Sequence, residues 1–360
     1  MTRALPVLLP LLLSTCMGLL SPRSVQAQAD PVILDTLVVQ VGSRLDSRLP
    51  ATTRTVQVLD LKTIESLPVR TIAGLLEWAT SIEVQPRSPA QSDLSIRGAG
   101  FEQVVVLVNG VRMSDLQTGH FDLDLSVPLG QVERIEILRG PASALYGADA
   151  MGGVVNIVTR GHDPGWRGRI EGGSWGTARV SGGGGFQEEG WPALQIGGEL
   201  SRSDGHRAGT DFDAAMIHLS VLDSLAGTPL AGDFGFSRRN FGAKDFYAPY
   251  PSFEKTRTYS SALRWTPALS PEAGFEVGAS LRRREDEFTL IRDDPGVYQN
   301  RHTSSQAGGE VLYRDRPLGT VSLAFGGEVF LDLLRSSSLG NREESRGALF
   351  GEALVGGEGR

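Results

Sequence analysis

The chain has 360 residues, a net charge of −7, 40% hydrophobic residues and one cysteine, Cys16. The acidic balance works against nonspecific nucleic-acid binding, which needs cations to face phosphates, and a lone cysteine excludes a disulfide framework. Glycine is abundant, at 45 residues against an ordinary ~7%, but it lacks collagen's three-residue period and so marks turns and close approaches.

Residues 1–29 read as a secretory signal peptide. Arg3 supplies a positive start, residues 5–13 a short apolar core, and Ala27-Gln28-Ala29 the small residues of a cleavage site. The apolar core is short and holds Pro6 and Pro10, which argues against a membrane anchor. Residues 1–29 contain Arg3, Arg23 and no acids, so the remainder from Asp30 carries −9 and no cysteine.

Residues 30–50 form a tether. Within them Asp35-Thr36-Leu37-Val38-Val39-Gln40-Val41 has the β-branched content of a strand seeking a partner, and the polar residues around Pro50 read as a linker. Residues 51–165 then read as a compact α+β unit. Strands are predicted at 55–59, 94–98, 132–138 and 154–158. Helical spacing covers 61–67 and 72–78, the second with Leu75, Leu76 and Trp78 as core. The nearly unbroken apolar run 103–109 fits a strand buried on both faces, and Asn109-Gly110 is a hairpin turn signal.

From residue 166 the pattern changes to apolar–polar alternation, as in Phe275, Val277, Ala279 and Leu281 against Glu276, Gly278, Ser280 and Arg282. Such segments begin near 166, 177, 193, 213, 229, 256, 273, 302, 319 and 346. Short connections near 188–192, 268–272 and 314–317 alternate with long ones near 203–212, 238–255, 287–301 and 335–345; the short first hairpin at Trp175-Gly176 breaks the rule. This is the layout of an outer-membrane β-barrel, which satisfies its backbone in lipid without apolar helices. A secreted β-sandwich also alternates and is the second reading: a secreted or periplasmic β-rich binding module without transport activity.

Motifs for catalysis are absent, and no catalytic residue is assigned. Gly172-Gly173-Ser174-Trp175-Gly176 matches a nucleophile elbow, but a strand-like segment follows where a helix is required. Arg97-Gly98-Ala99-Gly100 lacks the third glycine and the helix of a dinucleotide loop. The five histidines are scattered, with no metal-ligand spacing, and no cofactor is implied. Asp204, Asp211 and Asp213 share one outer loop or its margin and are weak calcium candidates beside the plainer reading of a solvated loop.

The stretches "LSIRGAGFEQVVVLVNGVRM", "VERIEILRGPASALYG" and "AMGGVVNIVTR", in this order between residues 94 and 160, closely resemble the plug domain of TonB-dependent outer-membrane receptors. "DTLVVQV" at 35–41 resembles their TonB box, particularly in cobalamin-type members, and "FGAKDFYAPYPSFEKTRT" at 241–258 resembles an outer loop and strand of that branch. The resemblance implies a signal peptide at 1–29, a TonB-box segment and linker at 30–50, a plug at 51–165 and an N-terminal part of a transmembrane β-barrel at 166–360. It implies a Gram-negative-type outer-membrane location and contact with outer-membrane lipid. It also implies a scarce nutrient chelate as ligand, cobalamin-like or ferric siderophore, and the TonB energy-coupling protein as partner on Asp35–Val41. Arg97 and Arg139 match plug arginines that lock onto barrel carboxylates. Gly98, Asn109, Gly110, Gly140, Pro141, Tyr146, Gly147, Gly152, Gly153 and Asn156 match the plug's structural motifs. Ser88, Gln91, Ser92, Gln117, His120 and Phe121 fall on the apical loops expected to meet ligand. Family barrels have 22 strands around a plugged lumen, whereas this chain ends after about ten. It reads as an N-terminal fragment of a longer receptor, because an open sheet would leave edges unpaired in lipid.

Overall fold

A computed structural model describes residues 38–356 apart from 40, 46, 49–53, 89, 163, 247–248 and 319. The signal-peptide reading and Asp35, Thr36, Leu37 and Gln40 of the heptad lie outside the described residues. From Val38 onward the chain is one compact unit.

Two short strands open it. β1 (Val38–Val39) pairs antiparallel with β2 (Ser47–Arg48). The α+β unit follows with β3 (Val56–Leu59), β4 (Ile82–Ser88), β5 (Gln91–Ile96), β6 (Val104–Val108), β7 (Val111–Arg112), β8 (Val132–Arg139) and β9 (Gly153–Thr159). Its main sheet has the order β3-β8-β9-β6-β7, with β6 and β9 parallel, while β4 and β5 form a separate hairpin. α1 (Leu61–Ser66) is capped by Asp60, which accepts from Thr63 N–H at 2.9 Å, and α2 (Ile72–Leu76) by Thr71, which accepts from Gly74 N–H at 3.0 Å.

All five residues of β6 are buried, as the apolar run predicts. Val104, Val106 and Val108 pack on one face with Leu75, Ile135 and Ile157; Val105 and Leu107 pack on the other with Leu138, Tyr146 and Val154. Leu75 and Leu76 are in the core, but Trp78 is not: α2 ends at Leu76, and Trp78, in the turn beyond it, is 57% exposed. The glycines before β9 are there for room. A methyl on Gly152 would stand 2.5 Å from Ala99 Cβ, and one on Gly153 would strike the Leu138 carbonyl. Asn109 and Gly110 both have positive φ, 49° and 80°, and form the predicted tight turn between β6 and β7.

The rest of the chain is one antiparallel sheet, here called the wall: β10 (Gly165–Gly172), β11 (Ala178–Phe186), β12 (Ala193–Ser203), β13 (Phe212–Leu225), β14 (Thr228–Gly242), β15 (Phe253–Trp265), β16 (Gly274–Thr289), β17 (Gln299–Leu318), β18 (Val321–Ser336) and β19 (Arg342–Val355). Each strand pairs with its chain neighbours, and the sheet is open, with β10 and β19 at its edges. Every one of the ten predicted segments is a strand, displaced at its start by four residues at most.

Burial decides what the wall is for. Glu199, His218, Thr256, Arg284, Gln306 and Asp332 face the α+β unit and are buried. Ile196, Ile217, Phe234, Leu281, Val329 and Leu333 face outward and are exposed. A β-sandwich buries its apolar face against a second sheet, whereas a wall in lipid is polar inside and apolar outside. The observed polarity is the second kind and counts against the sandwich reading.

Gly183 and Gly197 of the wall also acquire a reason. Gln131, ahead of β8, projects into the space above them. Its Nε2 donates to the Ile196 carbonyl at 3.3 Å, and its Oε1 accepts from Gln195 Nε2 at 3.0 Å. A side chain on Gly197 or Gly183 would overlap the Gln131 side chain.

Candidate functional site

The α+β unit meets the wall in two polar clusters, one toward each end of the strands. The first lies toward the short-turn end and holds the residues that follow the heptad. Val41 is fully buried, and its N–H donates to Glu136 Oε2 at 3.0 Å. Glu136 sits in the middle of β8, itself fully buried, and takes Arg134 Nε at 2.9 Å on its other oxygen. A carboxylate there is tolerated only because donors surround it.

Arg44 then reaches across to the wall. Its Nη1 lies 3.1 Å from both oxygens of Glu310, and its Nη2 donates to the Leu145 carbonyl at 2.8 Å and stands 3.6 Å from Glu328. The guanidinium lies between the rings of Tyr146 and Phe350, 4.9 and 4.5 Å from their centroids. Ser43 Oγ and the Arg44 N–H both donate to Glu352, at 2.8 and 2.7 Å, and Arg314 donates to the Arg44 carbonyl at 2.7 Å. Burial opposes the Arg44 charge, but Glu310, Tyr146 and Glu328 outweigh it and hold the guanidinium more firmly protonated than usual. Burial pushes the Tyr146 phenol up to about 12. Leu45 packs on Leu312, Ala324 and Phe350. The 41–45 stretch, predicted as the end of the heptad and the start of the tether beyond it, is a docked clasp: Val41 and Leu45 have apolar pockets, and the Val41 N–H, the Ser43 hydroxyl, the Arg44 N–H and the Arg44 Nη1 all meet carboxylates. Beside the clasp, between Arg44, Arg112, Tyr146 and the wall, is a cavity of ≈ 610 Å³.

The second cluster lies toward the long-loop end, where residues 113–125 lean on the wall. Arg284 Nη1 donates to Asp115 at 2.8 Å and its guanidinium stacks 3.6 Å from the Phe121 ring. Arg282 donates to the Ser114 carbonyl at 2.6 Å. Arg239 stands 3.1 Å from Asp124 and donates to the Leu125 carbonyl at 3.0 Å. Burial works against charge on Asp115 and Asp124, yet Arg284 and Arg239 respectively hold these carboxyls below their usual range. Asp122 behaves oppositely: burial, then the Asp115 charge, push its carboxyl well above that range. Three carboxyl groups within ten residues are thus shifted in two opposite directions.

The predicted site residues fall into three groups. Of the heptad, Val38 and Val39 are in β1 and already have a partner strand, β2. Of the apical residues, Ser88, Gln91 and Phe121 are buried, and Ser92, Gln117 and His120 are half-buried. Gln91 donates to the His120 carbonyl at 3.0 Å, Gln117 stands 3.4 Å from Asp286, and His120 Nδ1 lies 3.0 Å from both oxygens of Asp93 while its ring stacks on Phe101. The stretch 87–93 is chiefly strand, not loop. Arg97 is exposed and Arg139 half-buried, and neither makes an ion pair among the described residues. The observed ties run mostly the other way, from wall arginines to carboxylates on residues 115 and 124. Asn156 accepts from Gly110 N–H at 3.0 Å, and Asn109 Nδ2 reaches Asp233 on the wall at 2.9 Å.

The calcium candidates are not brought together. Asp211 is bidentate on Arg292 at 2.6 and 2.9 Å, and Asp213 serves Arg238 and Asn240. Among the described residues no group of three His, Cys, Asp or Glu is arranged to hold a metal. Ser174 lies in the turn between β10 and β11 with no helix after it, so the elbow geometry is missing. Sequence reading missed Arg44, Glu136 and Arg284. Glu136 had a signal, a carboxylate in the middle of the apolar strand 132–138.

Residues 48–154 match the family model described as the TonB-dependent Receptor Plug Domain. Over 170 residues, 45% of this chain and 26% of the relative, the chain is 32% identical to the iron-regulated outer membrane virulence protein of Vibrio cholerae. Over 125 residues, 34% of this chain and 20% of the relative, it is 34% identical to the vitamin B12 transporter BtuB of the same species. The siderophore receptor PiuA of Acinetobacter baumannii shares the fold, with a TM-score of 0.66 at 16% identity over 84% of this chain and 49% of that one. The matched stretch thus spans about a quarter of the curated relatives' length. Residues 48–154 thus match a TonB-dependent receptor plug domain, and they are seated on an antiparallel wall that is polar within and apolar without.

Proposed function

We propose that this chain supplies the plug and part of the wall of an outer-membrane receptor for energised uptake of a scarce nutrient chelate. The observation that carries the reading is the clasp: the residues directly behind the heptad are tied to the plug through Glu136 and to the wall through Glu310 and Glu352. The heptad is the handle. A TonB-type energy-coupling protein adds a strand to residues 35–41, using backbone hydrogen bonds for strength and alternate side chains for register. Because β1 is already paired with β2, the partner either takes the free edge of β1 or displaces β2. Tension on that strand is delivered first to Val41 and Arg44. Charged groups that are desolvated yet held by a few short bonds give a tie that is firm and reversible.

The ligand side is the long-loop end, where the outer loops stand above residues 113–122. The ligand is a cobalamin-like or ferric-siderophore chelate, a reading supported by the similarity to a vitamin B12 transporter and to a siderophore receptor. Arg97 and Arg139 remain proposed lock residues toward carboxylates outside the described contacts. The test is Val39→Pro. Proline removes a donor and fixes φ, so cross-linking of residue 37 to the periplasmic domain of TonB is lost while the chain still fractionates with outer membrane and migrates heat-modifiably on a gel. Unchanged cross-linking removes the box assignment. A soluble periplasmic product removes the membrane reading.

A further inference from the structure

Asn109-Gly110 is the only Asn-Gly pair in the chain; the other four asparagines precede Ile157, Phe241, Arg301 and Arg342. Asparagine before glycine is the pairing most open to loss of its side-chain amide, because no Cβ on the next residue hinders the attacking backbone nitrogen. The chemistry balances without an oxidant. The Gly110 nitrogen attacks Asn109 Cγ, the N–Cγ bond forms, the Cγ–Nδ2 bond breaks, and ammonia leaves with the Gly110 proton. Water then opens the cyclic imide, at one carbonyl to aspartate and at the other to isoaspartate.

With the plug seated, every polar atom in that reaction is held. The Gly110 N–H donates to Asn156 Oδ1 at 3.0 Å. Asn109 Nδ2 donates to Thr159 Oγ1 and to Asp233 Oδ1, both at 2.9 Å, and Asn109 Oδ1 accepts from the Thr159 N–H at 2.9 Å. Swinging Cγ onto the Gly110 nitrogen breaks all four of these bonds. The Asn109 carbonyl is fixed as well, since it accepts from Arg264 Nη2 at 2.6 Å. Asn156 and Thr159 belong to the plug, whereas Asp233 and Arg264 belong to the wall, on β14 and β15. Part of the restraint therefore lasts only while plug and wall stay together. Space for water is at hand, because the ≈ 610 Å³ cavity beside the clasp is lined by Gly110, Asn156, Asp233 and Arg264.

We infer that Asn109 is a deamidation site kept latent by the seated plug, restrained by Asn156 and Thr159 from within the plug and by Asp233 from the wall. Conversion accelerates in steps as the wall contact and then the plug's own fold are lost. The product does not reseat. Aspartate at 109 sets a carboxylate where the amide donated to Asp233, and like charges at that distance repel. Isoaspartate adds a backbone carbon to a tight turn that accommodates two residues with positive φ. Conversion thus marks chains whose plug has left the wall. This needs only a plug seated on the wall and is independent of any ligand taken up.

The test is mass spectrometry of the tryptic peptide 98–112, in which Asn109 is the only asparagine, after incubation of the full chain in detergent micelles in mildly alkaline buffer. One hydrogen bond of ordinary strength is worth about fivefold in rate, so the folded chain is expected to convert on the order of a hundredfold more slowly than the same chain in urea. Asn156→Ala frees the Gly110 nitrogen and is expected to convert about fivefold faster than the folded wild type. Asp233→Ala removes the wall's share and is expected to convert faster too; the Asp233 side chain is 24% exposed, which spares the fold. Heat-modifiable migration reports folding of each variant. Protection of the folded wild type below about fivefold, the worth of a single bond, overturns the inference. So does a folded Asn156→Ala or Asp233→Ala chain that converts no faster than wild type. Asn109→Asp installs the product directly and is expected to speed hydrogen exchange of the Met113 N–H, which closes the β6–β7 pair on the Val106 carbonyl. Exchange equal to wild type overturns the failure to reseat.

Discussion

Replacing Arg44 by Met tests the clasp. Met keeps the stem between the Tyr146 and Phe350 rings and removes only the guanidinium. What is left behind sets the magnitude. Glu310 and Glu328 lose their cation while 26% and 11% exposed, and the Leu145 carbonyl loses its donor. Breaking a fully buried pair costs about 3–5 kcal/mol. Glu310 retains access to water, so about 2–3 kcal/mol is expected here, screened accordingly. That corresponds to roughly a 30- to 150-fold shift toward a released heptad. A spin label on Val39→Cys reads the change as growth of the mobile component, with the chain in detergent micelles. Adding Glu310→Gln removes the stranded carboxylate, so the double variant should recover about 1 kcal/mol of the loss, the coupling that adjacent charges show. If the Arg44→Met heptad stays as immobile as the wild type, Arg44 carries none of the tie. If the double variant is no better than the single one, the Arg44–Glu310 pair is not its source.

Three further outcomes are expected. Gly197→Leu overlaps Gln131; overpacking of this kind costs about 1–3 kcal/mol and should appear as faster proteolysis of the plug with the wall intact. The carboxyls at 115 and 122 should respond to pH with opposite sign. Asp115 has a depressed folded pKa, so its contribution is present above its ordinary value near 3.8 and fades as pH falls through the folded value. Asp122 has a raised one, so its contribution is complete below 3.8 and is lost as pH rises through the folded value. Asp115→Asn should therefore loosen residues 114–125 at neutral pH by about 3 kcal/mol, whereas Asp122→Asn should leave them unchanged or firmer; hydrogen exchange of those amides against pH checks both. Val39→Pro should abolish cross-linking to TonB without affecting membrane fractionation, as set out above.

Some of this molecule is readable from local pattern. The period-2 alternation locates all ten wall strands, since a sheet facing two solvents imposes it on every strand separately. Asn109-Gly110 is equally local, because a tight turn with two positive φ values selects Asn and Gly wherever it occurs. Trp78 shows where such reading fails: helical spacing continues past Leu76, but the helix ends there and the indole turns to solvent. Ser88, Gln91 and Phe121 also depend on tertiary contacts that sequence does not show: hydrogen bonds and the Arg284 guanidinium hold them inward.

Sequence alone determined the order of the parts, the strand count of the wall and the turns, because each depends on residues a few positions apart. Only the tertiary structure decided which face of the wall is polar, which charges meet and what the tether does. Arg44 finds Glu310 across 266 positions and Arg284 finds Asp115 across 169. No local propensity encodes such pairs: a charge along the chain reads the same whether solvated or buried. Its cost, and therefore its meaning, is set by the desolvation that only the seated plug imposes.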